Sequence, residues 1–151
     1  MDKFRRANEL TGQNKCGEAW DLISSSVISG DRDSAMMASS LIIFTGLVPP
    51  GSPNDVLALY RHALILALHG MNRNEPKSLE HTKGLLTVMP DESITGEILS
   101  CIDGDEDLLV CESIAVGTGL IPKFQSYIGE IDGTNAKNAS AYCVSPSVIP
   151  R

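Results

Sequence analysis

The feature that most constrains this chain is the breaker Pro49-Pro50-Gly51-Ser52-Pro53 together with the apolar run that follows it as far as Gly70. A cluster of proline and glycine neither continues a helix nor sits in a central strand, so a new element has to begin after it. Ser52 offers an N-cap hydroxyl, Pro53 suits the first helical position, Asp55 stands where a capping-box acid would, and Gly70 supplies a stop. Between them Val56, Leu57, Leu59, Tyr60, Ala63, Leu64, Leu66, Ala67 and Leu68 cover most of the circumference, leaving a narrow polar strip through Asp55, His62 and His69. A helix that is apolar nearly all round has to be enclosed by others, so this one is expected at the centre of the fold.

The remaining sequence supplies those neighbours. Residues 18–28 carry Ala19, Leu22, Ile23 and Val27 at helical spacing, with Trp20 on the flank and Gly30 available to end the helix. Asp31-Arg32-Asp33-Ser34 can cap the apolar helix behind it, which should end near Gly46. Glu75-Pro76 opens a shorter helix through Lys83; Gly84 interrupts it, and 85–89 reads either as a helical turn or as a short strand. Pro90-Asp91-Glu92 starts a helix with Ile94, Ile98, Leu99 and Ile102 on one side, and Asp103-Gly104 ends it. Asp105-Glu106-Asp107 then leads into the apolar run 108–116, closed by Gly117 and Gly119.

Aromatic residues make up only 5% of the chain and strand-like alternation is sparse, which favours helices over a sandwich or barrel. The expected fold class is all-α, a mainly helical bundle or short helical-hairpin solenoid, with a possible short strand near 85–89. Segments 18–22 and 55–64 can be set beside each other, but their small and aromatic positions do not recur at a fixed period. At 151 residues one domain is expected, over 1–128. From Gly129 onward Gly, Asn, Ser and Pro dominate, so 129–151 reads as an extended or flexible tail able to dock on a neighbour, with 144–151 as its arm.

Twelve basic against nineteen acidic residues leave a net charge of −7, which argues against nucleic acid as a partner. The apolar stretch 35–48 is shorter than the roughly 20 residues that a bilayer needs, so no membrane partner is expected. Behind Met1-Asp2-Lys3-Phe4-Arg5-Arg6 there is no apolar run with a cleavage site. Cys16, Cys101, Cys111 and Cys143 lie far apart without a C-x-x-C pair, so reduced thiols and a cytoplasmic location are expected. Asn138-Ala139-Ser140 fits a glycosylation acceptor, a pattern that carries little weight in a cytoplasmic chain.

Motifs with chemical content are few. Asp103-Gly104-Asp105-Glu106-Asp107 spaces carboxylates like a calcium loop, but the required turn glycine would fall at Leu108 and the closing acid at Ile114; a helix cap is the better reading. His62 and His69 lie two turns apart on one strip, with Glu80-His81 elsewhere, yet neither H-E-x-x-H nor G-x-S-x-G occurs. Gly117-Thr118-Gly119-Leu120-Ile121-Pro122-Lys123 lacks the ending of a phosphate loop, and Lys3, Arg5 and Arg6 form only a small basic cluster. No catalytic residue, cofactor or metal is therefore assigned.

The function that fits is non-enzymatic: a helical protein–protein interaction or self-assembly protein, whether adaptor, chaperone or structural subunit. Its partner would be another protein or copies of itself, with a homo-oligomer formed through the tail. The side chains suited to partner contact are Trp20, Tyr60, His62, His69, Tyr127 and Tyr142, although Trp20 reads first as a packing anchor. The competing reading is a small metal-dependent or hydrolytic enzyme built on His62 and His69 with Glu80 or His81.

Overall fold

The computed structural model describes residues 2–90, 92–132 and 140–144. Within them the elements run α1 (Asp2–Gly12), α2 (Cys16–Ile28), α3 (Arg32–Thr45), β1 (Leu47–Val48), α4 (Val56–Gly70), α5 (Pro76–Thr87), α6 (Glu92–Asp103), α7 (Leu108–Gly117), α8 (Phe124–Asp132) and β2 (Tyr142–Cys143). The all-α class holds, with one two-stranded sheet among the described residues. Its place is not 85–89, where Leu85, Leu86 and Thr87 continue α5. β1 pairs antiparallel with β2 instead, Leu47 opposite Cys143 and Val48 opposite Tyr142.

α4 packs along α3 and also meets α5, α7 and α8. Leu59, Leu64, Ile65, Leu66 and Leu68 are buried on it. At about 1.5–3 kcal/mol per side chain, that burial alone is on the order of 10 kcal/mol gross, comparable to the net stability of a whole domain. The helix begins later than its proline signal suggests. Asp55 is the N-cap and its carboxylate accepts from the Ala58 amide at 3.2 Å, whereas the Ser52 hydroxyl donates to Pro53 O and caps nothing.

Gly70 is the last residue of α4, as expected, but it does not end the helix through a left-handed conformation. A Cβ there would come within 2.5 Å of Arg32 O and 2.6 Å of the Met36 amide nitrogen, both backbone atoms of α3. Its value is the close approach of two helices. Gly30 and Gly46, by contrast, do end α2 and α3 with positive φ, 92° and 79°. Gly84 interrupts nothing: α5 runs through it, and no atom lies within 4 Å of where its Cβ would be. α1, which no sequence signal announced, buries Ala7 and Leu10 against the body.

Two further expectations change. The composition puts the tail from Gly129, but Phe124, Tyr127, Ile128 and Ile131 are spaced as one helical face and bury together, which carries α8 to Asp132. Residues 140–144 lie on the chain's own core: Ala141 and Val144 are buried, and the Val144 amide donates to Gly46 O at 2.8 Å. Asn138 and the remainder of the proposed arm, 145–151, lie outside the described residues, as does Asp91 of the α6 start signal. The thiols expected to be reduced are paired, Cys16 with Cys143 and Cys101 with Cys111. Sequence distance hid the first pair, because the two cysteines meet only once β2 has docked.

Two measurements check this architecture. Gly70→Ala should lower stability by about 1–3 kcal/mol in urea denaturation, because backbone has to shift. Gly84→Ala should raise it by about 0.5–1 kcal/mol, because an open helical site gains only rigidity; equal effects would contradict the packing described. In the chain-entropy account, loss of the bridge with sequence separation 127 costs about 5 kcal/mol and loss of the one with separation 10 costs about 3 kcal/mol. Cys143→Ser should therefore destabilise more than Cys111→Ser, and the native oxidised protein should show no titratable thiol; four reactive thiols would contradict both bridges.

Candidate functional site

The polar strip of α4 carries the two histidines of the competing enzymatic reading, and they are held by different neighbours. Seven residues of helix separate them by about 10 Å along the axis, too far to share one metal ion. His62 Nδ1 lies 2.8 Å from the hydroxyl of Tyr127 on α8. His69 Nδ1 lies 3.0 Å from Glu112 Oε2 on α7, and its Nε2 lies 3.2 Å from Gly30 O at the turn between α2 and α3. Phe124 of α8 stacks on the His69 ring, centroids 3.7 Å apart and planes 7° from parallel.

His81, on α5, goes elsewhere again: its Nε2 is 2.8 Å from the hydroxyl of Ser39, which in turn donates to Ala63 O at 2.7 Å. Since the one hydroxyl proton goes to Ala63, Ser39 accepts from the His81 N–H. This is the reverse of what an activated serine nucleophile needs, and Ser39 is fully buried. Among the described residues no group of three His, Cys, Asp or Glu side chains is placed to hold a metal ion. The three histidines thus serve to tie α4 and α3 to their surroundings.

Tyr127 has no exposed surface, and its hydroxyl meets only His62 among the described residues. If Nδ1 donated, the hydroxyl proton would be buried without an acceptor, at a cost of about 1–3 kcal/mol. The tyrosine therefore donates, Nδ1 accepts, and the neutral ring carries its proton on Nε2. Burial, reinforced by the Arg61 charge, pushes His62 down from 6.5 to about 4. Burial likewise lowers His81, and raises Tyr127 together with the nearby Glu130 charge.

The other expected contact residues divide by burial. Trp20 is a core anchor like Tyr127, Tyr60 is half-buried against the core, and Tyr142 stands 43% exposed on β2. Sequence reasoning missed exposed apolar side chains elsewhere: Phe44, Leu57, Val88, Leu109 and Val110. One signal was available, because a helix as apolar as α4 leaves some position outside the core, and Leu57 is that position at 66% exposed. Asp107 caps α7 through the Leu109 amide and Asp103 takes Lys83 Nζ at 3.0 Å, so the acidic run serves capping and pairing. Compared with known protein families, curated proteins and solved structures, the chain matches none.

The depressed His62 makes a pH prediction. The unfolded chain takes up a proton near pH 6.5 that the folded chain refuses until about pH 4, so this group's contribution is intact above that window and is lost as pH falls through it. The slope approaches about 1.4 kcal/mol per pH unit. Urea denaturation of His62→Gln across this range should give a shallower fall in stability than the parent; parallel curves would contradict the buried neutral ring.

Proposed function

We propose that the chain is a non-enzymatic helical protein that acts by binding another protein, with assembly of its own copies as the related mode. What supports the reading on the chemical side is the dispersal of the three histidines onto Tyr127, Glu112 and Ser39, each a structural partner. What carries it is the start of α7. Isolated exposed apolar side chains are ordinary on any protein, but Leu109 and Val110 are consecutive there, 50% and 41% exposed. The net charge of −7 favours a partner with a basic surface, since unlike fields speed encounter and like fields oppose self-association. No helix among the described residues is long and apolar enough to cross a membrane.

A cytoplasmic location goes with reduced thiols, whereas paired cysteines favour an oxidising compartment. The thiol titration described above separates these two settings. For the binding reading the test is the double substitution Leu109→Ser with Val110→Ser, two positions open enough to solvent to leave the fold intact. Light scattering over a concentration series and cross-linked capture from one extract should reveal an assembly or a stoichiometric partner that the double variant binds about 100-fold more weakly. Neither an assembly nor a partner, or binding that is unchanged in the variant, would contradict the reading.

A further inference from the structure

The loop 50–53, the first turns of α4 and the end of α8 enclose a cleft of about 340 Å³. That lies within the range of about 300–1,000 Å³ typical of small-molecule sites. Its polar equipment is specific. Tyr127 fixes the His62 tautomer so that the N–H sits on Nε2, as derived above. No buried side-chain nitrogen among the described residues lacks a partner, and Nε2 forms no bond, so it is not buried, and His62 lines the cleft. The result is an oriented, neutral donor at the cleft wall.

Two opposite charges share that wall. Arg61 and Glu130 both line the cleft. Among the described residues neither forms an ion pair, with the other or with a third group. A simple anion entering here would meet Glu130, and a simple cation would meet Arg61. A ligand carrying both charges meets each with its complement, while Pro50, Pro53, Ala58 and Ile131 present apolar surface to the rest of it. We propose that this cleft binds a small apolar α-amino acid, its carboxylate on the Arg61 guanidinium and the His62 Nε2–H and its ammonium group on Glu130. The site is independent of the Leu109–Val110 surface and stands or falls separately.

The test uses the intact oxidised protein and nuclear magnetic resonance of the His62 ring and the Arg61 guanidinium. L-leucine and L-proline are the probes. 4-Methylpentanoate and 3-methylbutylamine, which keep the leucine chain with one charge each, are the controls. The amino acids should give saturable shifts confined to the cleft, and each control should bind at least about tenfold more weakly, as expected for the loss of one charge-assisted contact. Arg61→Gln should weaken leucine binding about tenfold. Glu130→Gln should weaken leucine but strengthen 4-methylpentanoate, because the group that repels a lone carboxylate is gone. Both residues are exposed, so an unchanged spectrum away from the cleft will show that each variant folds. Shifts that do not saturate, controls that bind as well as leucine, or a Glu130→Gln variant that does not gain the carboxylate would each overturn the proposal.

Discussion

α4 lies directly on α3 because Gly70 has no side chain, and most of the architecture depends on that approach. With backbone against backbone, Arg32 at the start of α3 reaches the end of α4, donating from Nε to His69 O at 2.9 Å and from Nη2 to Met71 O at 3.0 Å. Those carbonyls have no helical partner, and a guanidinium there also answers the negative end of the helix. Arg73 repeats the device for the end of α6, donating to Ile102 O at 2.9 Å and to Glu106 O. A longer residue at position 70 would separate the helices and pull the first of these clamps apart.

From the same helix, polar ties reach α3, α7 and α8. Ala63 O accepts from Ser39 of α3, His62 meets Tyr127 of α8, and His69 joins Glu112 of α7 to the turn before α3. Apolar packing is non-directional, so a helix that is greasy nearly all round could rotate at little cost. These bonds each require one rotation and one height, and a half-satisfied version would leave buried polar groups unpaired. The histidines that looked like catalytic stock in a strip of sequence are better understood as this register device, which leaves only the outward edge of His62 free for a ligand.

Local punctuation was legible in the sequence and long-range pairing was not. Asp31, Glu75-Pro76 and Asp107 stand at helix starts, and Gly30 and Gly46 at helix ends, because each acts on backbone within a few residues of itself. Gly70 had the same local appearance, yet its role is set by Arg32 and Met36, more than thirty positions away. The same holds for the close of the fold. β2 docks where Gly46 leaves room for the Val144 carbonyl, where Gly17 meets Ala141 O, and where Cys16 meets Cys143. The composition of 129–151 reads as a tail because its core-forming residues are few; two of them, Ala141 and Val144, suffice once a disulfide and a strand pair hold them. At the candidate cleft, His62 was visible on the strip, but Arg61 and Glu130 become a site only when α8 crosses the start of α4.

α4 is the element on which the other helices depend, and native-state hydrogen exchange tests that dependence most directly. Amides 64–68 should exchange last in the molecule, only through global unfolding and with a free energy equal to that from denaturation. If they exchange by local opening while α6 or α7 remains protected, the bundle is organised around another element and the account fails.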